Sequence, residues 1–282
     1  MKVLAMQDLA CYGKCSASIT LPVLSAMGIE TTLLPTSVLS THSAFAGFTF
    51  HDLLPDMEQI VRHWSSLGLT FDAIYIGYLG SQAQLNFALS LIDRYPQALV
   101  MVDPVMGDNG KLHRRITPDF IGGYDRLCVR AHLLLPNLTE TCALLRLPYE
   151  PYASGAHNWQ PLLQALKARG AKNVVITGLS DGAERLGSLC LDEGGRLRSY
   201  FRHRVAGHYH GTGDLFASVL IGALLQKLSL AQALELATDF TVLCIQKTAP
   251  YGDAQGSHWH GLHFEACLPQ LWQRLSGLCR ST

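Results

Sequence analysis

The chain has 282 residues, and its 22 basic side chains balance 22 acidic ones to give a formal net charge of zero at pH 7. A hydrophobic fraction of 48% with 16% charged residues is ordinary for a globular chain and gives no basis for a nucleic-acid partner. The apolar start Val3–Met6 is too short for a signal peptide or a membrane span, and the eight cysteines contain no Cys-x-x-Cys pair, so we expect a cytoplasmic protein with reduced thiols and no membrane partner.

Short β-rich runs alternate with longer helical patterns along most of the chain. The predicted strands are Val3–Met6, Thr32–Leu34, Ala73–Ile76, Ala98–Val102, His132–Leu135 and Asn173–Ile176. Helices are predicted at Ser16–Met27, Asp56–Leu67 and Ser81–Tyr95, and a glycine suited to a left-handed cap closes the first two. This alternation predicts an α/β fold whose central sheet is largely parallel, with helices on both faces.

The pattern changes after the sixth predicted strand. Ser188–Leu191 and Arg196–Tyr200 flank a Glu-Gly-Gly turn and predict a β-hairpin, and the predicted helices Ala231–Thr248 and Glu265–Leu275 follow later. No repeat, low-complexity tract or Ser/Gly linker marks a boundary in the sequence. We therefore predict a single domain over residues 1–282.

Polar residues follow most of the predicted strands at the point where each strand ends. They are Gln7 with Asp8, Tyr78, Asp103, Asn137, and Thr177 with Gly178. The carboxyl ends of parallel strands gather at one edge of an open sheet, where ligands bind. The sequence therefore predicts one polar crevice.

A glycine turn, Gly211-Thr212-Gly213-Asp214, opens directly into the apolar run Leu215–Ile221. Unpaired N–H groups at a helix start form an anion hole, and phosphoryl transfer needs such donors where charge develops on the moving group. Asp214 is placed to act as a general base for an attacking hydroxyl. Its alternative role is that of a helix-capping aspartate.

These motifs resemble those of the vitamin B6 kinase branch of the ribokinase superfamily. The glycine turn with Leu215-Phe216-Ala217 is similar to the family signature, Asp103–Asp108 to its aspartate motif, and Pro136–Glu140 to its asparagine-glutamate motif. The similarity extends to about Gly261. It implies a ribokinase-like fold without a separate lid domain, and an ATP-dependent kinase that phosphorylates the 5′-hydroxymethyl group of a B6 vitamer.

Hard oxygen ligands stand at the ends of neighbouring predicted strands, in Asp103, Asp108, Asn137 and Glu140. Such a set suits Mg²⁺, although each residue alone could be a loop or capping residue. The resemblance implies that Asp108 and Glu140 serve the Mg²⁺ that accompanies ATP. It implies that the ATP site comprises Asp103, Asp108, Asn137, Glu140, Thr177, Gly178 and Gly213. It also implies a homodimer and leaves a monovalent cation open.

Two further charged or histidine-rich segments have alternative interpretations. Residues 109–115 correspond to the family's phosphate-covering loop, yet their charges could equally face solvent. His258, His260 and His263 crowd together, but no carboxylate or thiol in the sequence completes a metal site with them. We therefore leave the role of residues 109–115 open and assign no metal to the histidine cluster.

The resemblance implies that Asp8, Ser43 and Tyr78, with Asp214, hold the vitamin ring. Asp8 departs from the family pattern, in which a serine is expected at this position. We hypothesise that its carboxylate binds a cationic part of the substrate, either a protonated ring nitrogen or the amine of pyridoxamine. The alternative is that Asp8 caps a turn or pairs with Lys14.

Other functions compete with this interpretation. A hydroxymethylpyrimidine kinase of thiamine synthesis shares the fold, but its branch ends the glycine turn in cysteine, whereas Asp214 stands here. Sugar kinases of the superfamily carry a β lid. A dinucleotide-binding oxidoreductase needs Gly-x-Gly-x-x-Gly after the first strand, which residues 8–13 lack. A non-catalytic vitamin-binding regulatory protein stays open, although the presence of Asp214 counts against it.

Overall fold

The computed structural model describes residues 1–113, 116–150, 158–182, 184–252, 257–258 and 260–281. The chain forms two compact units, the first made of residues 1–72 with 205–282 and the second of residues 73–204. The prediction of a single domain over the whole chain stays a prediction. Among the helices described, none combines the length and the apolar character needed to cross a membrane.

Strands and helices alternate along the chain. The strands are β1 (Lys2–Ala10), β2 (Glu30–Leu39), β3 (Phe50–Asp52), β4 (Ala73–Ile76), β5 (Leu99–Val102), β6 (Gly107–Asp108), β7 (Lys111–Leu112), β8 (Leu133–Leu134), β9 (Asn173–Ser180), β10 (Arg185–Leu191), β11 (Leu197–His203), β12 (His208–Tyr209) and β13 (Ser257–His258). The α-helices are α1 (Ala17–Ala26), α2 (Leu54–Ser66), α3 (Gln82–Arg94), α4 (Pro118–Arg130), α5 (Leu138–Leu145), α6 (Gln160–Lys167), α7 (Thr212–Leu225), α8 (Leu230–Thr248) and α9 (Leu268–Ser281). Short 3-10 turns cover Ala249–Tyr251 and Glu265–Cys267. Every predicted strand and helix overlaps an observed element, although several of the ends differ.

The first unit is built on β1, which pairs in parallel with β2, while β3 adds to β2 in antiparallel orientation. Most of β1 is buried, as expected for an apolar strand covered on both faces. Helix α7 is buried along almost its whole length, which explains why its sequence is apolar on every side. It packs on α1, and a hydrogen bond of 2.9 Å joins the buried hydroxyls of Thr20 and Ser218.

The second unit contains parallel strands in the order β4, β5, β8 and β9, with β10 and β11 added in antiparallel orientation. All four residues of β4 are buried, as in the core of a parallel sheet. The predicted α/β class and the predicted hairpin are confirmed, because mostly parallel strands alternate with helices in the chain. Within the described ranges neither unit carries a separate lid domain.

Two of the wrongly predicted strand ends bear on the predicted site. Strand β1 continues to Ala10 and β9 to Ser180, so Asp8 and Thr177 lie inside strands rather than after them. In both places the strand pairing shifts register: between Gln7 and Leu9 of β1, and opposite the segment from Ile176 to Leu179 of β9. Irregular pairing of this kind interrupts the ladder without ending the strand, and it is common beside active sites.

Candidate active site

The glycine turn starts α7 and leaves backbone donors that have no partner among the described residues. Gly211 is the N-cap residue, with φ 81° in the left-handed region, and its carbonyl accepts the N–H of Leu215 at 2.9 Å. A side chain at Gly211 would overlap the Ile19 methyl and the Lys14 carbonyl oxygen, whereas one at Gly213 would meet nothing within 4 Å. The first N–H groups of a helix have no partner inside it, so the turn provides donors beside open space, as an anion site requires.

Asp214 lies in the first turn of α7 and is half-buried. Burial raises the pKa of its carboxyl from 3.8 to about 7; the charge of Asp8 adds to this rise, and a hydrogen bond from the Ser16 backbone N–H opposes it. A general base works best when its pKa is close to the working pH. The raised pKa therefore makes the Asp214 carboxylate a suitable proton acceptor near neutral pH.

Asp8 is a buried carboxyl, 6% exposed, inside β1. Burial raises its pKa, and a hydrogen bond from the Ser16 side chain opposes that rise. The predicted alternative of pairing with Lys14 is wrong, because the Lys14 ammonium lies 2.8 Å from the Glu265 carboxylate and donates to the Leu262 carbonyl at 2.9 Å. Asp8 is thus close enough to Asp214 for its charge to raise the pKa of the Asp214 carboxyl.

Gln7, next to Asp8 in the chain, is fully buried, and its amide has no hydrogen-bond partner in the described part of the chain. The Ser37 hydroxyl on the paired strand β2 is likewise buried and unsatisfied among those residues. Buried polar groups normally have partners, and those that lack one mark functional sites or water positions. The irregular pairing of β1 with β2 therefore coincides with a polar region of the core.

A chain of aromatic contacts in the first unit was not predicted from the sequence. Ring centroids are 5.0 Å apart for His260 and Tyr12, 5.9 Å for Tyr12 and Phe45, 4.7 Å for Phe45 and His42, and 4.5 Å for His42 and His210. Burial lowers the pKa of His210 to about 4, with further lowering by His42 and the neighbouring His208. His210 directly precedes the glycine turn, which was the available signal. Uncharged imidazole at that position can pack against a flat ring.

Ser43, the residue after His42, is exposed in the segment between β2 and β3. Tyr78, in the second unit, is half-buried just after β4. Their predicted roles in holding the vitamin ring stay predictions.

Asn137 and Glu140 form the capping box that starts α5 in the second unit. The Asn137 amide oxygen accepts the Glu140 N–H at 3.0 Å, and the Glu140 carboxylate accepts the Asn137 N–H at 2.8 Å. The other Glu140 oxygen accepts the Met106 N–H at 3.0 Å, and the Asn137 amide donates to the Gly107 carbonyl at 2.8 Å. The predicted capping role is therefore real, and the same two side chains fix the loop that carries Asp108.

Asp103 and Glu140 are two buried carboxyls that influence each other. Burial raises the pKa of Glu140 well above its usual value, and the charge of Asp103 raises it further. One Asp103 oxygen accepts the Tyr75 hydroxyl at 3.4 Å, and the buried Tyr124 hydroxyl has no partner in the described part of the chain. A cation nearby would relieve this repulsion, so the donor chemistry fits Mg²⁺.

Asp108 lies exposed in the β6–β7 hairpin, where its carboxylate accepts the backbone N–H and the side-chain amide of Asn109 at 2.8 and 2.9 Å. Thr139 fixes the same hairpin by accepting the Gly110 N–H at 2.9 Å. Residues 114 and 115 of the expected phosphate-covering loop lie outside the described residues.

Thr177 and Gly178 lie at the irregular point of β9. The Thr177 N–H bonds the Pro136 carbonyl at 3.0 Å, which ties the strand to the residue before Asn137. Gly178 has φ 70°, and a side chain there would meet nothing within 4 Å. The bulge therefore leaves open space at Gly178, one of the two residues predicted to contact nucleotide phosphates.

The described histidines of the C-terminal cluster stack on aromatic rings. His260 contacts Tyr12, and His263 lies parallel to Tyr251 with ring centroids 4.8 Å apart. Among residues that the structure describes, no group of three His, Cys, Asp or Glu side chains is arranged to hold a metal. Trp259 and the side chain of His258 lie outside the described residues.

Comparison with known proteins identifies the family. The profile of the phosphomethylpyrimidine kinase family matches residues 34–259. A pyridoxine/pyridoxal/pyridoxamine kinase from Bordetella avium is 29% identical, with 87% of this chain and 85% of that protein covered. The crystal structure of pyridoxal kinase from Lactobacillus plantarum is 32% identical, with a TM-score of 0.88 and 96% of both chains covered.

A further structure connects the phosphomethylpyrimidine kinase name with a B6 vitamer. A Bacteroides thetaiotaomicron protein, provisionally assigned as a phosphomethylpyrimidine kinase and crystallised with pyridoxal, is 35% identical, with a TM-score of 0.89 and coverage of 96% of this chain and 95% of that one. The family name therefore includes a protein that binds a B6 vitamer. The chain belongs to the phosphomethylpyrimidine kinase family, the group of ribokinase-like kinases that also includes the pyridoxal kinases it resembles.

Proposed function

We propose that this chain is an ATP-dependent kinase that phosphorylates the 5′-hydroxymethyl group of a B6 vitamer. The observation that carries the proposal is Asp214, a carboxyl with a pKa near 7 in the first turn of α7, beside the free donors of the glycine turn. The names of the Bordetella and Lactobacillus relatives support the same substrate class.

The first unit supplies the base and the anion hole. Asp214 accepts the proton of the 5′-hydroxyl group while the hydroxyl oxygen attacks the γ-phosphorus of ATP. The bond from that phosphorus to the leaving ADP oxygen breaks at the same time. The N–H groups of Thr212 and Gly213 stabilise the charge that develops on the transferring group. Asp8 and the neutral ring of His210 hold the vitamin ring.

The second unit serves the nucleotide. Thr177 and Gly178 offer a hydroxyl and backbone donors to the phosphates. Mg²⁺ bound with ATP would neutralise charge on those phosphates. Asp108 is exposed and can hold the ion directly, whereas both Glu140 oxygens already accept backbone N–H groups, so Glu140 serves it through water.

Parallel assays with Mg-ATP and pyridoxal, pyridoxamine, pyridoxine or hydroxymethylpyrimidine test the proposal. We expect the highest kcat/KM for one of the three vitamers. Preferential turnover of hydroxymethylpyrimidine would favour the thiamine-pathway alternative, which the family name keeps relevant. Binding of a vitamer without any phosphorylated product would favour the non-catalytic alternative.

Asp8 should set the preference among vitamers. We expect Asp8→Ser to lower kcat/KM for pyridoxamine relative to pyridoxal by about tenfold, because removing a buried carboxylate partner of a cation costs on the order of 1–3 kcal/mol. The ratio of kcat/KM values for the two vitamers is the measurement. An unchanged ratio would show that Asp8 does not contact the cationic group.

Asp108 should set the Mg²⁺ requirement. Because its carboxylate is exposed and bonds only to Asn109 in the described structure, Asp108→Asn should fold normally yet need several-fold more Mg²⁺ for half-maximal rate. Asp119→Asn, a change in the first turn of α4, is the matched surface control. A normal Mg²⁺ dependence in Asp108→Asn would argue against this assignment.

Several finer expectations rest on the resemblance alone. They are the homodimer and the monovalent cation; the cytoplasmic location is a separate expectation from the sequence. Size-exclusion chromatography with light scattering, and assays in potassium against tetramethylammonium salts, test the first two directly.

A further inference from the structure

The β6–β7 hairpin of the second unit is too short to hold itself in place. Each strand has two residues, and the paired positions are Gly107 with Leu112 and Asp108 with Lys111. Even a longer isolated hairpin is only marginally stable in water, so contacts from outside must fix the position of this one. Three side chains in the first turn of α5 supply such contacts.

Two of the three contacts come from the capping box of α5. The Glu140 carboxylate accepts the Met106 N–H at 3.0 Å, and the Asn137 amide donates to the Gly107 carbonyl at 2.8 Å. They hold the residues through which the chain enters the hairpin. The third side chain is that of Thr139, which lies between these two residues in the chain and is buried.

Thr139 holds the turn of the hairpin itself. Its hydroxyl accepts the Gly110 N–H at 2.9 Å. Asn109 and Gly110 have φ 50° and 75°, as the central residues of a two-residue type I′ turn require. The N–H of the second central residue has no partner inside such a turn, because the hydrogen bond of the turn uses the residue that follows. On its other side Gly110 packs on Tyr149, since an added side chain would lie 2.5 Å from a ring carbon.

The same turn sets the direction of the Asp108 carboxylate. Oδ1 accepts the Asn109 backbone N–H at 2.8 Å, and Oδ2 accepts the Asn109 side-chain amide at 2.9 Å. A carboxylate oxygen has a second lone pair, so both oxygens can still bind a cation or its water. A displacement of the turn would therefore move this carboxylate with it.

We propose that Thr139 is a positioning residue for Mg²⁺: by accepting the Gly110 N–H, it fixes the turn from which Asp108 binds the ion. This inference rests on the proposed function, in which Asp108 holds the Mg²⁺ that accompanies ATP. Thr139 acts through Asp108 and not on the ion. The capping box is completed by Asn137 and Glu140, so the Thr139 hydroxyl can be removed without uncapping α5.

The experiment removes the acceptor and measures the Mg²⁺ requirement. Thr139→Val should need about three- to tenfold more Mg²⁺ for half-maximal rate, because the Gly110 N–H loses its partner. Thr139→Ala removes the same acceptor without adding a methyl group in its place, and should behave alike. Thr139→Ser keeps the acceptor and should restore the wild-type requirement. General damage to the fold would lower the rate at saturating Mg²⁺ in the serine variant as well.

Thr141→Val is the matched control on the same helix. Thr141 is fully buried, and its hydroxyl has no hydrogen-bond partner in the part of the chain that the structure describes. The same chemical change at this position should leave the Mg²⁺ requirement unchanged. An equal rise in Thr141→Val and Thr139→Val would overturn the proposal.

A double variant tests whether Thr139 acts through Asp108. Adding Thr139→Val to Asp108→Asn should raise the Mg²⁺ requirement little beyond that of Asp108→Asn alone, because the carboxylate that the turn positions is already lost. Effects of the two changes that multiply in full would show that Thr139 acts by another route and would overturn the proposal.

Two measurements without a vitamer make the test independent of turnover. Amide hydrogen exchange, followed by NMR, reports on the Gly110 N–H, which should exchange about tenfold faster in Thr139→Val and at the wild-type rate in Thr139→Ser and Thr141→Val. Mn²⁺ binding in the presence of ADP, followed by electron paramagnetic resonance, reports on the metal site. Its affinity should be about three- to tenfold weaker in Thr139→Val.

These two readouts separate the inference from the proposed function. Faster Gly110 exchange together with weaker Mn²⁺ binding supports the positioning role even if no vitamer is phosphorylated, in which case only the proposed function fails. Unchanged Gly110 exchange in Thr139→Val overturns the positioning role whatever the activity. Equal Mn²⁺ binding by Thr139→Val and the wild type, including no binding by either, overturns it as well.

Discussion

Replacing Asp214 with asparagine should lower kcat by about 10²–10⁴-fold while making the fold more stable. The loss of rate follows from the loss of the proton acceptor at the start of α7. The amide is nearly the same size, so binding of nucleotide and vitamin should change little. A loss in kcat with nearly constant KM is the expected signature.

The gain in stability has a definite pH dependence. The Asp214 carboxyl has a pKa of about 7 in the folded protein against 3.8 as its ordinary value, so the folded state binds its proton more tightly. Wild-type stability therefore falls as pH rises from about 4 to 7, because the unfolded chain releases this proton first. Asp214→Asn lacks that fall, and should be more stable by roughly 1–3 kcal/mol at pH 8.

Urea unfolding at pH 4 and pH 8 measures this difference. The free energies of unfolding of the two proteins should converge at pH 4 and separate at pH 8. Asp119→Asn on α4 provides the control for a generic charge change. A variant that keeps its full rate, or that is less stable than the wild type at pH 8, would contradict the role and environment assigned to Asp214.

Alanine at Gly213 should abolish most phosphoryl transfer without harming the fold, whereas alanine at Gly211 should harm the fold itself. A side chain at Gly213 meets nothing within 4 Å in the described structure, and alanine favours a helix over glycine by up to about 1 kcal/mol. At Gly211 the left-handed φ and the overlap with Ile19 and Lys14 should cost more than about 1 kcal/mol.

The loss of activity in Gly213→Ala would come from the anion site. A methyl group in the open space should keep the transferring phosphate from the backbone donors, and losing one such donor costs about 10²–10³-fold in rate. Melting temperature and kcat/KM for both variants are the measurements. Wild-type activity in Gly213→Ala would show that the transferring phosphate does not bind at the glycine turn.

The motifs and the approximate positions of the strands could be predicted because both depend on local sequence. Strand β4, an apolar run bounded by turn residues, was predicted with its observed bounds, Ala73–Ile76. Helix α4 was missed because Gly122 and Gly123 interrupt its pattern. Gly123 lies in the helix because it packs closely against Gln82 and Leu85 of α3, a reason that only tertiary structure provides.

The contacts within the candidate site could be predicted only in part. Asn137 and Glu140 were recognised by their resemblance to a family motif, and their spacing also makes them a capping box. The charge of Asp8 acts on Asp214, a residue that lies far from it in the chain. The positive φ of Ser16 and the stacking of His42 on His210 do not produce any periodic pattern in the sequence from which they could be predicted.

The central claim is that this chain transfers the γ-phosphoryl group of ATP to the 5′-hydroxyl of a B6 vitamer. The most direct measurement uses ATP with ¹⁸O in the γ-phosphate and follows the product by ³¹P NMR and mass spectrometry. We predict one labelled phosphate ester at the 5′ position of the vitamer, formed by the wild type and nearly absent with Asp214→Asn. Labelled inorganic phosphate without a vitamer ester, or equal ester formation by the variant, would contradict the account.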